Sequence, residues 1–147
     1  MLIPFPIRYR GIRSKTKMFI LIADDHANVR RGLREILADA FTGVQFSEAA
    51  NGAEVLAQLA KSQYGALLLD INMPGRSGLD VLQDVKHMYP KLPVIMVSVQ
   101  PENQYASRCL RAGADAYVNK NSASEDLAPA IRKILSGAMS TLDQNKN

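Results

Sequence analysis

The sequence predicts an α/β fold, a doubly wound parallel sheet of five strands covered by five helices on its two faces. Three observations lead there. From Met18 to Gly137 short apolar runs alternate with amphipathic helical patterns. The runs show no polar alternation, which is the signature of strands buried on both sides. At 147 residues and 47% apolar content, the chain has the size of one ordinary domain and too much hydrophobic material for disorder.

Each element has its own justification. Phe19–Ala23 is an uninterrupted apolar run and reads as the first strand. Val29, Leu33, Ile36, Leu37 and Ala40 then fall on one helical stripe, with Arg30, Arg31, Arg34 and Glu35 off it. Val44–Ala49 is the second strand. Asn51 followed by Glu54 resembles a capping arrangement, and Val55, Leu56, Leu59 and Ala60 continue the stripe behind it. Ala66–Asp70 is a third strand that ends on a carboxylate. The Pro and Gly residues of Met73–Gly78 demand a loop. A helix follows over Leu79–Tyr89 and stops at Pro90, and Pro93–Ser98 is the fourth strand, with proline at its tolerated first position. Tyr105, Ala106, Cys109 and Leu110 mark a helix closing near Gly113, and Ala116–Val118 is the fifth strand. Ser122 and Glu125 form a capping box for a final helix with Leu127, Ile131, Ile134 and Leu135 inward.

The net charge of +4 is a property of one end of the chain. Arg8, Arg10, Arg13, Lys15 and Lys17 lie in a segment without acids, and the rest carries 13 basic against 14 acidic residues. Such an arm could grip phosphate backbones or anionic lipid. With Pro4, Pro6 and Gly11 breaking any regular structure, residues 1–17 are expected instead to be a flexible basic extension. Residues 18–137 then form the domain, and 138–147 a polar tail or the start of a linker. No run approaches the roughly 20 apolar residues of a membrane span, so no membrane association is expected. The single cysteine excludes an intramolecular disulfide and a multi-cysteine zinc site, and suits a cytoplasmic setting.

In an open parallel sheet, ligands bind beyond the carboxyl ends of the strands. Asp24 and Asp25 follow the first strand, Asp70 ends the third, Ser98 the fourth, and Lys120 lies just past the fifth. Alone, each has an ordinary explanation as a cap, a core hydroxyl or a solvated charge. Together they bring three carboxylates, a hydroxyl and an ammonium to one edge. Clustered carboxylates repel and resist ionising without compensation. Lys120 and a hard divalent cation, Mg²⁺ or Mn²⁺, are the remedies the oxygen-rich donor set favours. A cation, a nucleophilic carboxylate and donors for developing charge are the parts of phosphoryl transfer to an aspartate.

This pattern (Asp24-Asp25, Asp70 within Leu-Leu-Leu-Asp-Ile-Asn-Met-Pro-Gly, Ser98 and Lys120) resembles the response-regulator receiver domain of two-component signalling, over Met18 to Gly137. The resemblance implies a flavodoxin-like sheet of order 2-1-3-4-5. It implies that Asp70 accepts a phosphoryl group from a sensor histidine kinase or a phosphotransfer protein. It further implies that Asp24, Asp25, Asp70 and the backbone carbonyl of Asn72 hold Mg²⁺, that Ser98 and Lys120 bind the phosphoryl group, and that Tyr117 changes rotamer with Ser98. Asn121 stands where many receivers have proline. The segment from Lys120 to Gly137 is similar to the NarL/FixJ (LuxR-type) subfamily, whose members usually add a helix-turn-helix and can dimerise on phosphorylation. DNA would be reached only through such an output domain, which ten residues after Gly137 cannot form. Val99 departs from the smaller residue usual after the hydroxyl and would narrow the approach to Asp70.

The function expected is thus a phosphorylation-switched module, not an enzyme. One alternative is a stand-alone receiver acting by docking, and another is a degenerate receiver that needs no phosphorylation, with Val99 in its support. A phosphatase of the haloacid-dehalogenase type needs a second acid two residues after its nucleophile, where this chain has Asn72. A flavodoxin-like cofactor carrier would need a phosphate-binding loop where Asp24-Asp25-His26 places negative charge. His26, His87, Lys91, Arg108 and Arg111 read as structural or solvated groups, with Arg108 and Arg111 also able to serve a partner.

Overall fold

The computed structural model describes residues 18–146, with side chains to residue 136; the basic segment 1–17 lies outside the described residues. The elements in order are β1 (Met18–Ala23), α1 (Ala27–Ala40), β2 (Val44–Ala49), α2 (Gly52–Lys61), β3 (Ala66–Leu69), α3 (Gly78–Met88), β4 (Val94–Ser98), α4 (Glu102–Arg111), β5 (Ala116–Asn119) and α5 (Ala123–Lys146), with a single 3₁₀ turn, Lys120–Ser122, before α5. The five strands are all parallel, in the order β2-β1-β3-β4-β5. This is the expected sheet, and its order reverses between β1 and β3, the point where such folds bind ligands.

Strand side chains alternate between faces, so each inner strand feeds two cores. Leu21, Leu67, Leu69, Val94 and Met96 face Val55 and Leu59 of α2, Val81, Leu82 and Val85 of α3, and Cys109 of α4. Ile20, Ile22, Leu68, Ile95 and Val97 face Leu33 and Leu37 of α1 and Leu127 and Ile131 of α5. All residues of β3 and β4 are buried, which is why these two runs carry no polar alternation.

The loop between β3 and α3 is held by a close backbone approach. A Cβ on Gly78 would sit 1.9 Å from the Asp70 carbonyl oxygen, and the Gly78 N–H donates to the Ile71 carbonyl at 2.6 Å. Only glycine lets the start of α3 press against the residue that ends β3. Asn51 caps α2 as expected, accepting from the Glu54 N–H at 2.9 Å, while Glu54 reaches back to the Ala50 N–H at 2.7 Å.

Three details differ from the sequence reading. The capping box of Ser122 and Glu125 does not form, because Ser122 lies inside the 3₁₀ turn. The cap sits earlier, where the Asn119 side chain accepts from the Asn121 N–H at 2.8 Å. Asp70 lies just beyond β3 instead of within it, although its N–H still donates to the Ala23 carbonyl at 3.0 Å. Finally, α5 runs past Gly137 to Lys146. One glycine in a helix costs about 1 kcal/mol, too little to end it among helix-forming neighbours.

Candidate functional site

Four strand ends build the site. Asp24 follows β1, and its backbone N–H donates to the Ala49 carbonyl of β2 at 3.0 Å. The side chain is turned inward and is 1% exposed; Asp70 is 3% exposed. Lys120, the first residue after β5, extends its ammonium between them, 2.5 Å from Asp24 Oδ2 and 3.4 Å from Asp70 Oδ2. The three groups therefore form one buried ionic cluster with more negative than positive charge. Burial pushes the Asp70 carboxyl above the usual carboxylate range; the Lys120 ammonium pulls it back and the Asp24 charge adds to the rise.

Asp25 is exposed, with His26 beside it. His26 Nδ1 lies 3.3 Å from Asp24 Oδ1 and 3.1 Å from Asp25 Oδ1. The potential ligand atoms of Asp24, Asp25 and His26 all fall within 4.8 Å of one another. The His26 N–H also donates to Asp24 Oδ1 at 2.9 Å, at the N-cap of α1. Among the described residues, buried Asp24 Oδ2 has no polar partner other than the Lys120 ammonium. A buried acceptor of this kind, beside further carboxylate oxygens and one ammonium, matches what a hard divalent cation needs. The donor set fits.

Ser98 is fully buried at the end of β4. Its hydroxyl accepts from the Gln100 N–H at 3.1 Å. The Gln100 carbonyl in turn accepts from the Tyr117 hydroxyl at 2.7 Å and from the Asn119 side-chain amide at 3.4 Å. Both ends of the Gln100 backbone thus answer to side chains of β4 and β5, which ties the loop before α4 to the site. Burial raises the Tyr117 hydroxyl above its ordinary value. Val99 is 55% exposed beside this loop, and Asn72 is exposed.

Asp24, Asp70 and Lys120 come together as the strand-end argument required, with Asp25 adjacent. Ser98 and Tyr117 both reach the Gln100 backbone. Sequence reasoning missed three contributors: His26 as a bridge between the two acids, Gln100 as a backbone relay, and Arg30, whose guanidinium reaches the Asp24 carbonyl at 2.6 Å. Only His26 left a trace, its place directly after the acid pair; the other two act through backbone atoms that no side-chain pattern reports.

Residues 20–132 match the family described as the response regulator receiver domain. The transcriptional activator protein ExaE of Pseudomonas putida is 32% identical over 120 residues, covering 82% of this chain and 56% of its own; the chain spans about half the length of the curated relatives it matches. A LuxR-family two-component response regulator from Aurantimonas sp. SI85-9A1 superposes with a TM-score of 0.76 at 26% identity, covering 83% of this chain and 87% of that one. The response regulator protein TrrA of Thermotoga maritima, solved in complex with Mg²⁺ and BeF, gives a TM-score of 0.71 at 30% identity, covering 80% and 98% of the two chains. The Aurantimonas likeness agrees with the LuxR-type reading. With a matching fold, a family match over most of its length and the acids gathered at the strand ends, the chain belongs to the response regulator receiver domain family.

Proposed function

We propose that Asp70 is the phosphoacceptor of a phosphorelay, charged by a sensor histidine kinase or phosphotransfer protein. The observation that carries this reading is the placement of two buried carboxylates, Asp24 and Asp70, around the single ammonium of Lys120. An Asp70 oxygen forms the new bond to phosphorus as the phosphorus–nitrogen bond of the donor histidine breaks. Lys120, already in the pocket, pairs with the incoming phosphoryl oxygens, and the Ser98 hydroxyl is one strand away to donate to them. Asp24, Asp25, Asp70 and the Asn72 carbonyl would hold Mg²⁺, with Mn²⁺ as a substitute. The ion supplies the positive charge the three acids and a phosphoryl group lack. TrrA, solved with Mg²⁺ and a beryllium fluoride, supports that assignment by likeness.

Once Ser98 turns to the phosphoryl group, its bond to the Gln100 N–H is released, and Tyr117 is freed to shift with it. The loop before α4 then changes, a population shift biased by one new charged group. Homodimerisation is the response we assign to it. Transcription control through a DNA-binding domain is the output that the relative ExaE suggests. Residues 18–137 act as the receiver in this scheme, a cytoplasmic one; among the described residues no helix is long and apolar enough to cross a membrane. No turnover beyond its own phosphoaspartate is assigned, since Asn72 stands where a dehalogenase-type phosphatase carries its acid.

The test is incubation with Mg²⁺ and a small phosphodonor followed by intact mass. One acid-labile phosphoryl adduct is expected, absent without Mg²⁺ and absent in Asp70→Asn. An adduct that survives that substitution would refute the assignment.

A further inference from the structure

The peptide that joins Asp24 to Asp25 is held from outside the acid cluster. Arg30, in the first turns of α1, donates from Nη1 to the Asp24 carbonyl at 2.6 Å and from Nε to Glu48 Oε1 at 2.6 Å. Its side chain is 16% exposed. Glu48 lies on β2, and Arg34 grips its other oxygen at 3.0 Å. The Asp24 carbonyl belongs to the peptide plane whose nitrogen is that of Asp25. Fixing the plane fixes the Asp25 N–Cα bond, and the His26 N–H bond to Asp24 Oδ1 restrains the peptide on its other side, so together they limit the directions in which the Asp25 side chain leaves the backbone. Among the described residues, the exposed His26 ring is the one side-chain partner of Asp25. The Asp24 N–H and Oδ1 are also tied, to Ala49 and His26, so Arg30 completes the clamp on this turn.

From this geometry we infer that Arg30, braced by Glu48, is a positioning residue for divalent-cation binding by Asp25. The inference rests on the cation assignment made above. The role is assigned to the fork and not to charge, because Glu48 neutralises Arg30 and the one positive charge left on the trio, from Arg34 on the other Glu48 oxygen, stays in place when Arg30 is replaced together with its pairing. A planar guanidinium can hold a carbonyl and a carboxylate at once in fixed directions; an ammonium cannot. The Glu48 carboxyl is lowered from its ordinary value chiefly by its hydrogen bond to Arg30, in keeping with a settled partnership. Partners behind a metal ligand typically change affinity by roughly 10–100-fold.

The experiment measures Mn²⁺ binding by loss of the free-ion paramagnetic resonance signal, with Mg²⁺ as competitor, beside the Mg²⁺ dependence of phosphorylation by a small phosphodonor. In Arg30→Met, both ions are expected to bind about tenfold more weakly. The half-saturating Mg²⁺ rises in parallel, while the rate at saturating Mg²⁺ stays within about twofold of the wild type. Arg30→Lys, which keeps the charge and loses the fork, falls between the two. Arg31→Met removes the same charge from the neighbouring, exposed position and leaves affinity unchanged. Wild-type affinity in both Arg30 variants would overturn the inference, as would equal weakening in Arg31→Met, which would reduce the effect to net charge. Should Arg30→Met fail to fold, Arg30→Lys against Arg31→Met decides by the same criteria. A wild-type protein that binds neither ion would instead overturn the cation assignment itself, and the positioning role with it.

Discussion

At the scale of single residues the pocket is a compromise between folding and chemistry. Two carboxylates share one ammonium out of contact with water, an arrangement in which the second carboxylate is a burden on the fold. Asp70→Asn is therefore expected to stabilise the cation-free protein at neutral pH, by about 0.5–2 kcal/mol. The sign follows from the raised Asp70 carboxyl: the folded state holds that proton more tightly than the unfolded one, so stability falls as pH rises through the folded value. The gain from the substitution disappears below the ordinary value of 3.8, where both states are protonated. Lys120→Met acts in the opposite direction. It leaves Asp24 and Asp70 buried without a cation and is expected to destabilise by about 3–5 kcal/mol at neutral pH, less in acid. Urea titrations of both variants between pH 3 and 8 check these signs. The exposed side of the site titrates differently. Glu48 is held below its ordinary 4.5 chiefly by Arg30, so its contribution is present above that pH and is lost as pH falls through the folded value. Stability of Glu48→Gln and wild type should converge at low pH. The strand-end acids and Lys120 were legible because they are charged groups placed where the sheet must end. His26, Gln100 and Arg30 were not, since what they contribute is a bond to a neighbouring backbone group or side chain that residue type alone does not announce.

At the scale of elements, short contacts decide where the site residues sit. Gly78→Ala would drive a methyl group into the Asp70 carbonyl. Because the obstacle is backbone, α3 and the loop must separate, and a loss of about 1–3 kcal/mol is expected. The loop carrying Asn72 should move with it, visible as shifted amide resonances for residues 70–78. The strands were readable from the sequence to within a residue, because both faces of β3 and β4 are dry and polar residues are excluded from them. Ends were less readable. Ser122 has the right spacing for a cap, but the 3₁₀ turn uses the residues that the cap would need, and Asn119 takes over. Pro129 lies inside α5, where it lacks the N–H that would reach the carbonyl four residues back. It is exposed, so water can satisfy that carbonyl, and the helix continues.

At the scale of the whole molecule, the sheet separates two hydrophobic layers that meet at the site only through the strand ends. Deep in the α1–α5 layer, Leu127 and Ile131 hold α5 against α1, β4 and β5. Leu127→Ala is expected to cost about 2–5 kcal/mol, read from chemical denaturation, while leaving the Asp24–Lys120–Asp70 cluster assembled in the folded fraction. Doubly wound architecture and strand order followed from the alternation of buried runs and helical stripes together with the family resemblance; the reach of α5 past Gly137 did not, because composition marks polarity and not where a helix stops.

The most direct test of Asp70 as phosphoacceptor is reductive mapping. The protein is phosphorylated in Mg²⁺ with a small phosphodonor, treated with labelled borohydride, which reduces an acyl phosphate to the alcohol, and digested for peptide sequencing. Label at position 70 alone, lost when Mg²⁺ is withheld, is the expected result. Label on Asp24 or Asp25, or no label in a folded protein that binds the cation, would contradict it.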